Sequence, residues 1–213
     1  TSGTIAKKQL TLALTGGATF DKTYDGTREV RQKLAKDTNY TLTGFIGTEG
    51  DTISLDETTK GTYSDKNAGS KNVTFAGLTL TGTGNENYAL PQTTLTTSGT
   101  IAKKQLTLEQ TTTTHFTKTY DGSQAVTETL QRGKNYTLTG VIQGEGTDVV
   151  TLAETAAHGS YQTKDAQAAG EKQNVTFTGL SLTGTGAANY RLAASSHTFQ
   201  QVGTIKAKEV DLA

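Results

Sequence analysis

Apolar and polar residues alternate with a period of two along much of the chain. The pattern is plainest in Gln9-Leu-Thr-Leu-Ala-Leu14, in Asp51-Thr-Ile-Ser-Leu55 and in Asn72-Val-Thr-Phe-Ala-Gly-Leu-Thr-Leu80. Successive side chains of a strand point to opposite faces, so this spacing predicts half-buried antiparallel strands. Residues 28–36 read differently. They are rich in helix formers, and Val30 and Leu34, like Val126 and Leu130, stand four apart on what would be one helical face, which predicts a short helix in each half of the chain.

Laid on itself, the sequence repeats. The stretch Thr-Ser-Gly-Thr-Ile-Ala-Lys-Lys-Gln-Leu-Thr-Leu occurs identically at residues 1–12 and 97–108. At nearly the same shift, Lys22-Thr-Tyr-Asp-Gly26 matches Lys118-Thr-Tyr-Asp-Gly122, and Asn39-Tyr-Thr-Leu-Thr-Gly44 matches Asn135-Tyr-Thr-Leu-Thr-Gly140. Further on, Gly61-Thr-Tyr63 pairs with Gly159-Ser-Tyr161 and Asn72-Val-Thr-Phe75 with Asn174-Val-Thr-Phe177, after small insertions of the kind that surface loops absorb. Val202-Gly-Thr-Ile205 echoes the same opening once more. The reading is an array: residues 1–7 as the tail of a preceding repeat, 8–103 as repeat 1, 104–208 as repeat 2, and 209–213 as the start of the next. Residues 99–108 carry no Pro or Ser/Gly linker, which predicts a restrained junction and an elongated array. The fold class expected is mainly β, as two tandem antiparallel β-sandwich-like modules, with β-grasp-like modules each carrying one short helix as the alternative.

Composition narrows the function classes. Only 32% of residues are hydrophobic, with 24 glycines and a single proline, which suits half-exposed strands joined by glycine turns. Twenty basic and twenty acidic residues cancel, so there is no long-range field to collect nucleic acid or an anionic membrane. Cysteine is absent, which removes disulfides and thiolate chemistry together. No apolar run is long enough to span a bilayer, so no membrane insertion by this fragment is expected. Methionine is absent even at position 1, which reads as a chain beginning inside a longer polypeptide.

The residues that stand out are Tyr24, Asp25 and Gly26, with Tyr120, Asp121 and Gly122. Asp-Gly is a preferred tight-turn pair, and a tyrosine beside it anchors the turn to a core; this reads as a structural motif, against the sharper reading of a sugar stacked on the ring. All eight tyrosines fall into internal pairs, as framework residues would. His115, His158 and His197 have no counterparts in the first half and no metal-ligand spacing. Asp65-Lys-Asn-Ala-Gly69 alternates oxygen ligands but lacks the later acidic residue of a calcium loop, and reads as a turn. Lys22 and Lys118 are the candidates for an isopeptide cross-link to an Asn or Asp. No catalytic residue, metal ligand or cofactor is expected, and the chain is not read as an enzyme.

The Lys-Thr-Tyr-Asp-Gly cores, Asp65-Lys-Asn-Ala-Gly69 after a Gly-x-Tyr, Gly77-Leu-Thr-Leu-Thr-Gly82, Asn87-Tyr-Ala-Leu90 and the closing Gly-Thr-Ile together resemble the YDG repeat of bacterial haemagglutinin-like surface adhesins of the filamentous haemagglutinin type. The second copy departs from it at Asp165-Ala-Gln-Ala-Ala169. The resemblance implies an extracellular, cell-surface location and a structural stalk that projects a distal binding region, with neighbouring repeats of the same chain as its partners. The alternative is that the repeats themselves bind host glycan or glycoprotein, weakly and multivalently.

Overall fold

The computed structural model describes residues 2–143, 148–153 and 157–211. The ends of the expected repeat tails, Thr1, Leu212 and Ala213, lie outside the described residues. The chain divides into two compact units, Thr1–Ala102 and Lys103–Ala213.

The first unit contains β1 (Lys8–Gln9), β2 (Thr11–Leu14), β3 (Lys22–Thr23), β4 (Tyr40–Thr43), β5 (Ser54–Leu55), β6 (Gly61–Tyr63), β7 (Gly69–Ala76), β8 (Leu80–Thr81), β9 (Tyr88–Ala89) and β10 (Thr94–Ala102). Its main sheet has the order β3-β10-β7-β6. Strand β10 runs antiparallel to β7 from Thr94 opposite Ala76 to Ile101 opposite Gly69, and parallel to β3 through Ile101–Lys22 and Ala102–Thr23. Three short pairs complete the unit: β2 with β4, β5 with β8, and β1 parallel to β9.

The second unit repeats this plan with β11 (Lys104–Gln110), β12 (Phe116–Thr119), β13 (Tyr136–Thr139), β14 (Thr151–Leu152), β15 (His158–Tyr161), β16 (Gln173–Thr178), β17 (Leu182–Thr183), β18 (Tyr190–Leu192) and β19 (Ser196–Lys206). The main sheet is β12-β19-β16-β15. Here β11 is unbroken and carries both β13, antiparallel, and β18, parallel.

The mainly β architecture follows the period-two pattern, but the pairing is mixed, because the opening strands of each unit run parallel to its closing ones. The alternation over residues 72–80 does not form one strand: β7 stops at Ala76, and Gly77 turns the chain at φ +72°. No helix forms over residues 28–36. Val30 and Leu34 are buried, at 7% and 2% exposure, and residues 28–30 are laid along β6. Val30 N–H donates to Gly61 O at 2.9 Å, and Tyr63 N–H donates to Arg28 O at 2.8 Å. Pairing to an open sheet edge satisfies the backbone that helix propensity alone would have coiled. The helical turns among the described residues are the short 3₁₀ turns Glu49–Asp51, Asn85–Asn87 and Ala187–Asn189.

Each core is a cluster of rings. Phe20 and Phe75 lie 4.9 Å apart, both fully buried, and in the second unit Phe116, Phe177 and Phe199 meet at 5.2–6.0 Å. Strand β10 passes so close to the backbone at Phe20 that a Cβ on Gly99 would stand 1.9 Å from the Phe20 carbonyl oxygen, so only glycine fits there.

Candidate functional site

The Lys-Thr-Tyr-Asp-Gly segment sits where β3 leaves the sheet. Gly26 takes φ +79°, a conformation glycine adopts without steric cost, and Asp25 Oδ1 accepts from the Thr27 N–H at 3.0 Å and from its hydroxyl at 2.9 Å. The centre of the loop is Lys22. Its ammonium donates to Asp25 Oδ1 at 2.8 Å, to the Thr27 carbonyl at 2.8 Å and to the Glu29 carbonyl at 3.0 Å, and lies 5.1 Å from the centre of the Tyr63 ring. The second unit reproduces every part: Lys118 Nζ donates to Asp121 Oδ1 at 2.7 Å, Ser123 O at 2.8 Å and Ala125 O at 3.1 Å, over Tyr161 at 5.6 Å. A buried ammonium is tolerable only when its donors are all taken, and here carbonyls and a carboxylate take them.

The electrostatics follow. Burial by itself would raise the Asp25 carboxyl, but the hydrogen bonds from Lys22 and Thr27 and the lysine charge outweigh it and hold the group down at about 2. Hydrogen bonds from Lys118 and then Ser123 hold Asp121 at about 2 as well. Arg31 adds a second ion pair to Asp25 at 3.0 Å, which the second unit lacks because Thr127 stands at that position. The arrangement carries no general base: both carboxylates are committed to the lysine and the turn.

Sequence reading paired Tyr24 with Tyr120 as framework, and the structure separates them. Tyr24 is 2% exposed, whereas Tyr120 is 36% exposed, with the Lys164 ammonium 6.0 Å from its ring. Lys164 belongs to the loop where the second copy departs from the first, and this loop gives the ring a charge to stack on in place of a core.

The other tyrosines are buried, and Tyr40, Tyr63, Tyr88, Tyr136 and Tyr190 use their hydroxyls as pins. Tyr63 O–H donates to Phe20 O at 2.8 Å; Tyr40 and Tyr136 hydroxyls accept from the N–H groups of Leu55 and Leu152 at 2.8 and 3.0 Å. Tyr88 and Tyr190 accept from Ile46 and Ile142 N–H, each at 3.0 Å, and donate to Glu49 and Asp148. Burial first, and then the Asp148 bond, push the Tyr190 phenol up to about 12. Sequence reasoning missed Asn39 and Asn135. Both are buried, and their Oδ1 atoms accept from the N–H groups of Ala35 and Gln131 at 2.8 Å, closing matching turns before β4 and β13.

The remaining candidates scatter. Asp65 forms a turn, accepting from Asn67 N–H at 2.8 Å and pairing with Lys71 at 2.9 Å. His115 is exposed, and His197 packs edge-on against Phe199. Among the described residues no three His, Cys, Asp or Glu side chains gather as a metal site would require, and no helix is long and apolar enough to cross a membrane. Equivalent grooves flank the extended segment of each unit. The first, of about 780 Å³, is lined by Arg31, Lys33, Glu57 and Lys60; the second, of about 260 Å³, by Val126, Glu128, Leu130 and His158.

Comparison with known proteins matches the YDG domain at residues 6–96 and again at 102–198. No curated protein and no solved structure matches the chain.

Proposed function

The chain belongs to the YDG domain family, and from that premise we propose that its two units are spacer repeats of a large exported bacterial adhesin, projecting a distal binding region from the cell surface. One observation carries the reading: the side-chain sets that hold backbone in place recur in both units, whereas the grooves at equivalent positions do not match. The lysine clamp, the tyrosine pins and the asparagine turns occur in both, and each holds backbone in place. Among the described residues the linings of the two grooves differ, with Arg31, Lys33 and Lys60 on the first and Val126, Leu130 and His158 on the second. A ligand site built on those grooves would need matching linings in both repeats. A spacer needs only a shared fold, so on this reading the repeats have no catalytic role and require no cofactor.

Small-angle X-ray scattering of the two-unit chain against a single unit tests the proposal. The expected result is a maximum dimension about twice that of one unit, together with labelling of intact, unpermeabilised source cells by antibodies to the chain. A compact particle, or saturable binding of each unit to a glycan or mucin panel, would replace the spacer reading with the binding one.

A further inference from the structure

The strands that open each unit are hydrogen-bonded, in parallel, to the strands that close it. In the first unit β1 pairs with β9 through Lys8–Tyr88 and Gln9–Ala89, and β3 pairs with β10 through Lys22–Ile101 and Thr23–Ala102, extended by Tyr24 N–H to Ala102 O at 2.9 Å. In the second, β11 pairs with β18 from Lys104–Tyr190 to Leu106–Leu192, and β12 with β19 from Phe116–Gly203 to Thr119–Lys206. We propose that each unit is built to bear tension along the chain, with these parallel pairs loaded in shear.

Tension draws the incoming chain backward along β1 and β3 and the outgoing chain forward along β9 and β10. In a parallel pair those two pulls are opposed along the strand axis, so every ladder bond is strained together. Pulling strands apart from one end of an antiparallel ladder instead breaks the bonds one after another. Strand β10 is held on its other side by eight register positions with β7, so it does not slide free alone. The lysine clamp reinforces the weaker member. Lys22 lies on the short edge strand β3, and its ammonium ties the following loop at Thr27 and Glu29, where Glu29 bridges to Thr62 of β6 on the far edge of the same sheet. Dragging β3 backward therefore also strains a nearly covered ion pair. Only Lys103 separates β10 from β11, so tension leaving one unit enters the first parallel strand of the next.

The proposal rests on the spacer reading only for the source of the tension; the strength of a unit is measurable by itself. The chain has no cysteine, so paired cysteines give unique handles for single-molecule pulling on the full chain. Lys8→Cys with Ala102→Cys applies load at the unit's own ends. Ser70→Cys with Ala102→Cys applies it at one end of the β7–β10 ladder, where Ile101 faces Gly69, and opens that ladder bond by bond. At equal loading rate the first pair should rupture at severalfold higher force, releasing about 3.3–3.6 Å per residue freed, and Lys22→Met should lower that force. Equal or lower force for the first pair overturns the proposal. Lys104→Cys with Lys206→Cys, compared with Lys172→Cys and Lys206→Cys, asks the same of the second unit should the first-unit variants fail to fold. Weak rupture would leave the spacer reading intact, and a compact particle in scattering would leave the rupture forces standing.

Discussion

Lys22 Nζ lies 2.8 Å from Asp25 Oδ1 with the lysine side chain only 6% exposed, and Lys118 stands 2.7 Å from Asp121 at 8% exposed. The repeated pair makes each loop depend on an ionised carboxylate, and that dependence sets a pH window. The folded Asp25 carboxyl is depressed from 3.8 to about 2, so its contribution is fully present above the unfolded value and is lost as the pH falls through the folded one. Linkage gives it up to about 2 kcal/mol at neutral pH. The stability of the first unit should fall between about pH 5 and pH 2. Asp25→Asn should flatten that fall in acid-denaturation curves, and an unchanged acid slope would refute the assignment.

Truncating the two motif tyrosines should have unequal effects. Tyr24 is 2% exposed and Tyr120 is 36% exposed. Tyr24→Ala should cost about 3–5 kcal/mol, as other buried aromatic truncations do. Tyr120→Ala should cost under about 1 kcal/mol, as a partly exposed surface change does. Denaturant titrations of both variants decide, and similar midpoints would mean that the rings are equivalent after all.

Asn39→Ala and Asn135→Ala should each destabilise their unit by about 1–3 kcal/mol, because the N–H groups of Ala35 and Gln131 lose their acceptors. Hydrogen exchange should accelerate at those two amides specifically. Retained protection there would show that other acceptors suffice.

An intact mass equal to that of the sequence is expected, with no water or ammonia lost. Amide formation between Lys22 and Asp25 needs a neutral amine attacking a protonated carboxyl, with water leaving. A carboxyl held at about 2 is ionised at any physiological pH, and the ammonium is fully engaged as a donor. A mass deficit of one water per unit would overturn this.

The tyrosine phenols supply an alkaline test. Burial first, and then the nearby charges of Glu128 and Asp121, push Tyr161 up to about 12, and Tyr190 is also at about 12. A raised folded value means that the neutral form is favoured in the fold, so this stability is present below the ordinary value of 10.0 and lost as pH rises toward about 12. Ultraviolet titration should show late-ionising tyrosines that titrate together with unfolding; Tyr190→Phe should remove one of them.

Much of the candidate site was legible as a repeat and hidden as a mechanism. The Asp-Gly turn is local chemistry: a side-chain acceptor two residues before an amide and a glycine at positive φ need no distant partner. Lys22 could be seen to recur with it, yet its role depends on Tyr63 and on the carbonyl of Glu29, which reach it only once β6 and β3 lie at opposite edges of one sheet. The helix expected over residues 28–36 failed for the same reason, since the edge of β6 that claims this backbone is distant in sequence.

The repeated stretches of the two units draw the line between the two kinds of information. Period-two alternation marked which residues could be strand in both copies, and Leu10 and Leu106 are buried alike, at 3% and 1% exposure. Tyr24 and Tyr120 both follow Lys-Thr and precede Asp-Gly, yet Tyr24 is 2% exposed and Tyr120 is 36% exposed. Pattern and turn chemistry belong to the sequence because they act between near neighbours. Burial belongs to the tertiary structure, because a strand loses its water only where other strands supply both the hydrogen bonds and the apolar face.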